Sequence, residues 1–182
     1  DRALTSELAW VFEPYRRARV QGALDLPLAD VQSRTIAAVS NRIREHLMDK
    51  GGILAPDTRY QRIGGGRGWS MVREIGAQAR AGMIEAGIRA YVSVRQRVDG
   101  AWAYAIGRVS PFVPFDVLSI LRELNAAEDP SRGTWGGGNL VGGSPRLHGS
   151  AMSPDEVSQI VRRVLAQSMR EPQPENLAVL VA

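Results

Sequence analysis

Between residues 88 and 110, apolar and polar side chains alternate along two runs separated by Asp99-Gly100, and this pattern constrains the fold more than any other. Ile88, Ala90, Val92 and Val94 alternate with Arg89, Tyr91, Ser93 and Arg95, the period of two that belongs to a half-buried strand. Asp-Gly is a strong hairpin signal, so residues 102–110 are expected to return as the antiparallel partner. A two-residue loop sets Val98 against Ala101, Arg95 against Tyr104 and Tyr91 against Arg108. In that register the arginines and aromatic rings share an outward face, and the small apolar face receives helices.

Helical patterns flank the hairpin. Residues 3–20 carry Leu4, Leu8, Val11 and Tyr15 at helical spacing, with Pro14 expected to kink or split the run. A second helix is expected over 28–49 and ends at Gly51-Gly52. Residues 60–63 and 69–73 read as extended, around the turn Gly64 to Gly68, and a small helix follows over 77–86. Asp116 caps a helix with Val117, Ile120, Leu121 and Leu124 on one face. Ser153-Pro154-Asp155-Glu156 is a capping box with Pro at the first helical position. Residues 176–182 are apolar and read as an edge strand or a tail. The expected fold is α+β: a small mixed or antiparallel sheet with a central hairpin packed on helices, preceded by an α-helical segment. The expected division is a helical accessory segment over 1–52, a binding domain over 53–168 and a tail over 169–182.

Composition narrows the chemistry. With no cysteine, disulfides, thiolate metal sites and cysteine nucleophiles are excluded, which suits a cytosolic setting. His46 and His148 are the only histidines, so a multi-histidine metal centre is excluded too, and no metal-binding residues are assigned. No apolar run is long enough to span a bilayer as a helix, and no membrane partner is expected. The net charge is +4, and Lys50 is the only lysine. Residues 58–98 hold eight arginines against Glu74 and Glu85, a local surplus that attracts anions or decorates a solvated face.

The segment 135–150 carries the ligand chemistry. In Trp135-Gly136-Gly137-Gly138-Asn139-Leu140-Val141-Gly142-Gly143-Ser144-Pro145-Arg146, bare backbone lies between two helices, where a ligand can approach it closely. Successive glycine amides form anion-binding concavities, Ser144 adds a hydroxyl and Arg146 a charged fork. No Walker lysine follows Gly133 to Gly138, no Gly-x-Ser-x-Gly elbow is present, and neither glycine cluster has a dinucleotide-fold setting. His148 stands just beyond the loop without a visible nucleophile and reads as a polar surface or contact residue.

The order of these pieces resembles the DHH-associated domain of DHH-type phosphoesterases. The resemblance rests on a strand 91–95, the turn at Asp99-Gly100, a return strand ending Arg108-Val109-Ser110, a helix opening at Asp116-Val117, then Gly136-Gly137-Gly138 and Gly142-Gly143. It covers roughly residues 88–165, with the preceding helices similar to the linker between that family's two domains. It implies that Arg108, Ser110, Ser144 and Arg146 hold phosphate, that Gly136, Gly137, Gly138, Gly142 and Gly143 line the pocket, and that Asn139 orients it. Asn139 stands where the family usually has His, and residues 140–146 replace a shorter continuation. The DHH triplet and the family's Asp and His metal ligands are absent from these residues. The resemblance therefore implies the substrate-binding part of a hydrolase, with a divalent metal, manganese foremost, in a separate N-terminal catalytic domain. A chain that begins at Asp1 is compatible with a fragment of such a protein.

The expected partner is a nucleotide, short oligonucleotide or related phosphate compound. Two alternatives stand beside it. One is a non-catalytic single-stranded nucleic-acid-binding module, in which Tyr91, Arg95 and Tyr104 on the outward hairpin face stack bases and contact backbone. The other is a plain α+β interaction domain.

Overall fold

The computed structural model describes residues 2–23 and 28–168. The apolar segment 176–182 lies outside the described residues. The fold is α+β, a six-stranded mixed sheet with helices on both faces. Pro14 divides the first helical run as expected, into α1 (Arg2–Val11) and α2 (Glu13–Val20). The second run begins as α3 (Leu28–Val31), passes through a π-helical stretch at Gln32–Ile36 and continues as α4 (Ala37–Leu47).

The sheet contains β1 (Tyr60–Gly66), β2 (Trp69–Glu74), β3 (Ala90–Gln96), β4 (Trp102–Arg108), β5 (Gly136–Gly137) and β6 (Val141–Gly143). Its spatial order is β1-β2-β3-β4-β6-β5. Gly65 and Gly68 take φ of 129° and 80° around the β1–β2 turn, a backbone that side chains disfavour. The crossover helix α5 (Ala79–Glu85) returns the chain so that β3 runs parallel to β2, which makes the sheet mixed. All the other pairings are antiparallel.

The helices α6 (Val117–Ala127) and α7 (Pro154–Ser168) cover one face of the sheet. Asp116 accepts the Ser119 amide at 3.2 Å, and Ser153 and Glu156 form the expected capping box. Val117, Ile120, Leu121 and Leu124 of α6 meet Val157, Val161 and Val164 of α7 over Met71, Val92, Val94 and Ile106. Arg162 reaches from α7 to the Gly65 carbonyl at 2.9 Å, anchoring the helix to the β1–β2 turn. On the opposite face, Met83 of α5 packs with Val72 and Tyr91. Arg19 of α2 pairs with Glu74 at 2.9 Å and so ties the N-terminal helices to β2.

The hairpin register corrects the sequence expectation. Arg97 donates its amide to the Ala101 carbonyl and accepts the Gly100 amide, so three residues, Val98-Asp99-Gly100, make the turn. Gly100 takes φ of 84°, as the last position of such a loop requires. The Asp99 carboxylate accepts the Ala101 amide at 3.1 Å and stabilises the longer loop. Tyr91 therefore opposes Gly107, and Val94 opposes Tyr104. A shift of one residue exchanges the two faces of β4 relative to β3, because side chains alternate with a period of two. Tyr91 and Tyr104 consequently lie on opposite faces, each of them buried, and the expected outward row of arginines and rings does not form.

A Cβ at Gly107 would sit 2.7 Å from the Tyr91 ring. Gly107→Ala is expected to destabilise the chain by about 1–3 kcal/mol through overpacking. In a double-mutant cycle with Tyr91→Ala, most of that cost should vanish in the double variant. Additive effects in chemical denaturation would contradict the register.

Candidate functional site

The glycine-rich segment forms the edge of the sheet, and its glycines fall into two groups. Gly137 has φ of 155°, and a Cβ there would lie 2.3 Å from the Gly142 Cα. At Gly142 a Cβ would meet Leu121 Cδ1 at 2.6 Å, and at Gly143 the Tyr104 carbonyl at 2.7 Å. These three are bare because the β4–β6–β5 backbones and α6 pack too closely for a side chain. Gly136 and Gly138 differ: a Cβ on either meets nothing within 4 Å. No neighbouring protein atom demands glycine at these two positions, and both residues are exposed, with the Gly138 amide already donating to the Val141 carbonyl at 2.8 Å and Gly136 paired with Gly143.

Both glycines line a groove of about 760 Å³, within the range of small-molecule sites. Gly136, Gly137, Gly138, Gly142, Gly143, Ser144 and Arg146 line it, as the sequence led one to expect, together with Thr134, Val141 and Tyr104. Ser144 Oγ accepts the Tyr104 amide at 3.0 Å, which leaves its hydroxyl proton to donate elsewhere. The Arg146 side chain is exposed and has no ion-pair partner among the described residues.

Both roots of the segment are fixed by polar side chains. At the first, Asn125 of α6 donates to the Trp135 carbonyl at 2.9 Å and accepts its amide at 2.8 Å. The buried Glu128 carboxylate accepts Trp135 Nε1 at 2.9 Å, the Ala151 amide at 3.2 Å and the Asp129 amide at 3.3 Å. The Trp135 ring stacks on Tyr104 with centroids 5.5 Å apart. At the second root, buried Arg97 donates to the Arg146 carbonyl at 3.2 Å and to the Leu147 carbonyl at 2.9 Å, while pairing with Asp99 at 3.1 Å. The Tyr104 phenol donates to the Met152 carbonyl at 2.7 Å. Burial, with Glu156, Glu128 and Asp155 adding to it, pushes this phenol well above its ordinary range, so it remains a donor.

Other expected site residues have different surroundings. Arg108 does not line the groove. Its Nε donates to the Asn139 carbonyl at 2.8 Å and its Nη1 to the Val113 carbonyl at 3.0 Å, so the guanidinium brackets two loops. Ser110 also lies outside the lining, with Oγ accepting the Phe112 amide at 3.3 Å. Asn139 stands exposed at the tip of the β5–β6 hairpin rather than in the groove. Tyr91 is buried beneath α5 with the Arg80 guanidinium 5.4 Å from its ring centre, and Arg95 is half-buried on the same strand. Tyr91 and Tyr104 are thus core residues, and neither ring is exposed for base stacking. His148 is exposed, and its carbonyl accepts Arg132 at 2.9 Å. Among the described residues, no three His, Asp or Glu side chains gather as a metal site.

Sequence reasoning missed Asn125, Glu128 and Arg97. A signal existed for the first two, since Asn125 continues the inward stripe of α6 four residues beyond Leu121 and Glu128 follows as the residue that ends the helix, four beyond Leu124. No family model matches the chain, and no curated protein matches it.

The hydrogen bonds from Arg97 hold the Asp99 carboxyl below the usual carboxylate range. A carboxylate whose folded pKa is depressed stabilises the fold above its unfolded pKa and ceases to do so as pH falls through the folded value. Asp99→Asn should therefore lower the melting temperature at pH 7. Its deficit relative to the unsubstituted chain should shrink as pH falls below about 4, the ordinary carboxylate value. A deficit that does not change with pH in thermal scans would contradict an ionic role for this root.

Proposed function

We propose that the glycine groove holds the phosphate of a nucleotide, short oligonucleotide or related phosphate ester, and that the chain is the substrate-binding part of a DHH-type phosphoesterase. One observation carries this reading: Gly136 and Gly138 are bare without any packing reason, beside a Ser144 proton and an Arg146 fork that no described residue neutralises. A phosphate matches that set, since it offers acceptors on several sides and carries the opposite charge. The order of hairpin, helix and glycine segment, and the resemblance drawn from it, support the same assignment.

In this reading Arg146 binds and orients the phosphate, and Ser144 donates to one of its oxygens. The glycine backbone admits the group closely. Asn125, Glu128 and Arg97 position these donors before the ligand arrives, which lowers the ordering cost of binding. The metal chemistry belongs to a catalytic half of the family type. There a divalent ion such as manganese lowers the pKa of bound water. A cytosolic location fits the proposal. The nucleic-acid reading built on Tyr91, Arg95 and Tyr104 loses its support, because the two rings lie in the core.

The test is titration of the full chain with a nucleoside monophosphate. Arg146→Ala should weaken binding by about 10- to 100-fold, the range for a lost charged hydrogen bond. Gly136→Ala should weaken it while leaving the unfolding midpoint nearly unchanged. Gly142→Ala should lower the midpoint instead, because its Cβ meets Leu121. Affinity unchanged by both Arg146→Ala and Gly136→Ala would refute the site.

A further inference from the structure

The sheet face that carries α5 also carries one side of the groove. Gly136 pairs with Gly143, Gly143 with Ala105 and Ala105 with Ser93, while in the next row Val141 pairs with Gly107 and Gly107 with Tyr91. Paired residues point to the same face of a sheet, so both rows lie on the face where Tyr91 packs with Met83 of α5. Gly142, between Val141 and Gly143, points the other way, toward Leu121 of α6. Gly136, Val141 and Gly143 line the groove, and Ala105 and Gly107 continue their rows onto β4. Beyond the groove, the floor is therefore made of residues with one side-chain carbon or none. Ala105 and Gly143 are half-buried and Val141 is 47% exposed, so the floor is open above β4 and β6.

Tyr91 supplies a polar group at the end of this floor. A Cβ at Gly107 would lie 2.7 Å from the Tyr91 hydroxyl oxygen, so the ring leans from β3 over β4 and ends above Gly107. The residue is 9% exposed, and among the described residues its hydroxyl has no hydrogen bond, although the Arg80 guanidinium stands 5.4 Å from the ring centre. A hydroxyl at that depth is costly to leave without a partner. Burial raises the phenol above its ordinary range, with Glu74 adding to the shift and Arg80 and Arg19 opposing it, so the proton is retained for donation. Gly107 lies one strand, about 5 Å, from the Val141 strand that walls the groove.

We propose that the Tyr91 hydroxyl hydrogen-bonds the sugar of a sugar phosphate whose phosphate occupies the glycine groove, with the sugar ring lying over Gly143 and Ala105. The inference rests on the phosphate reading of the groove and adds a specificity residue and a ligand class to it. A sugar ring has C–H faces and a rim of hydroxyls. The small-residue floor admits a C–H face closely, and the phenol, both donor and acceptor, meets a hydroxyl on the rim. Tyr91 meets the floor with its hydroxyl end, so it offers a hydrogen bond and no stacking face. Water on the phenol is the competing occupant. The one or two strand spacings between groove and hydroxyl, about 5–10 Å, favour a single sugar ring joined to its phosphate.

Methyl phosphate and glucose 6-phosphate carry the same charged group, and only the second carries a sugar. Calorimetric titration of the full chain should show glucose 6-phosphate binding at least about threefold tighter. Tyr91→Phe keeps the ring and should leave the unfolding midpoint unchanged, since the hydroxyl has no partner among the described residues. It should weaken glucose 6-phosphate by about 3- to 10-fold and leave methyl phosphate unchanged. Ala105→Val fills the floor and should likewise weaken glucose 6-phosphate alone. Equal affinities of the unsubstituted chain for the two probes, no effect of Tyr91→Phe on glucose 6-phosphate, or an equal loss for both probes would overturn the role of Tyr91 and leave the phosphate groove standing. Failure of both probes to bind the unsubstituted chain would overturn the groove reading and this inference together.

Discussion

Tyr104 stands on the α6–α7 face of the sheet because three residues, not two, turn the β3–β4 hairpin, and the glycine segment is built around that placement. The Tyr104 ring stacks on Trp135 at the first root of the segment. Its backbone exchanges hydrogen bonds with Ser144, through Ser144 Oγ at 3.0 Å and the Ser144 amide at 3.1 Å. Its phenol holds the Met152 carbonyl beyond the second root. One residue thus touches the beginning, the groove and the end of the candidate site. In the alternative register the ring would face the α5 side, and none of these three contacts would be available.

A glycine-rich loop by itself is expensive to order, because glycine has the most backbone freedom to lose. Here the ordering contacts sit at the roots and leave the middle open. Glu128 is a buried carboxylate with three N–H donors, and Arg97 is a buried guanidinium facing two carbonyls and a carboxylate. Groups of this kind are costly to bury alone and specific when satisfied, so each fixes one geometry of the chain it grips. The groove between them is consequently shaped in advance. Arg108 extends the same principle by bracketing Asn139 and Val113, acting on the carbonyls of two loops rather than on the groove.

Much of the fold was legible in the sequence. The period-two runs, the Asp116 cap, the Ser153–Glu156 box and the split at Pro14 correspond to real elements, since each is a local signal with a local cause. The register was not legible, because Asp-Gly suits both two- and three-residue loops. The choice was made by Asp99, whose carboxylate caps the Ala101 amide and pairs with Arg97. The candidate groove was half legible: the glycines, Ser144 and Arg146 share it as expected, whereas Arg108, Ser110 and Asn139 do not line it. A sequence pattern marks residues fit to meet phosphate. It does not say which arginine the fold will occupy with backbone carbonyls.

The central claim is that a groove assembled by Tyr104 and its neighbours receives phosphate on the backbone and side chains of residues 136–146. Amide shifts in a ¹H–¹⁵N spectrum of the full chain, followed during titration with inorganic phosphate, test this most directly. The account predicts saturable shifts concentrated at Gly136 to Gly138 and Gly142 to Arg146, with the roots at Asn125 and Arg97 little moved. Shifts confined to the arginine-rich residues 58–98, or none at the glycine segment at saturating phosphate, would contradict it.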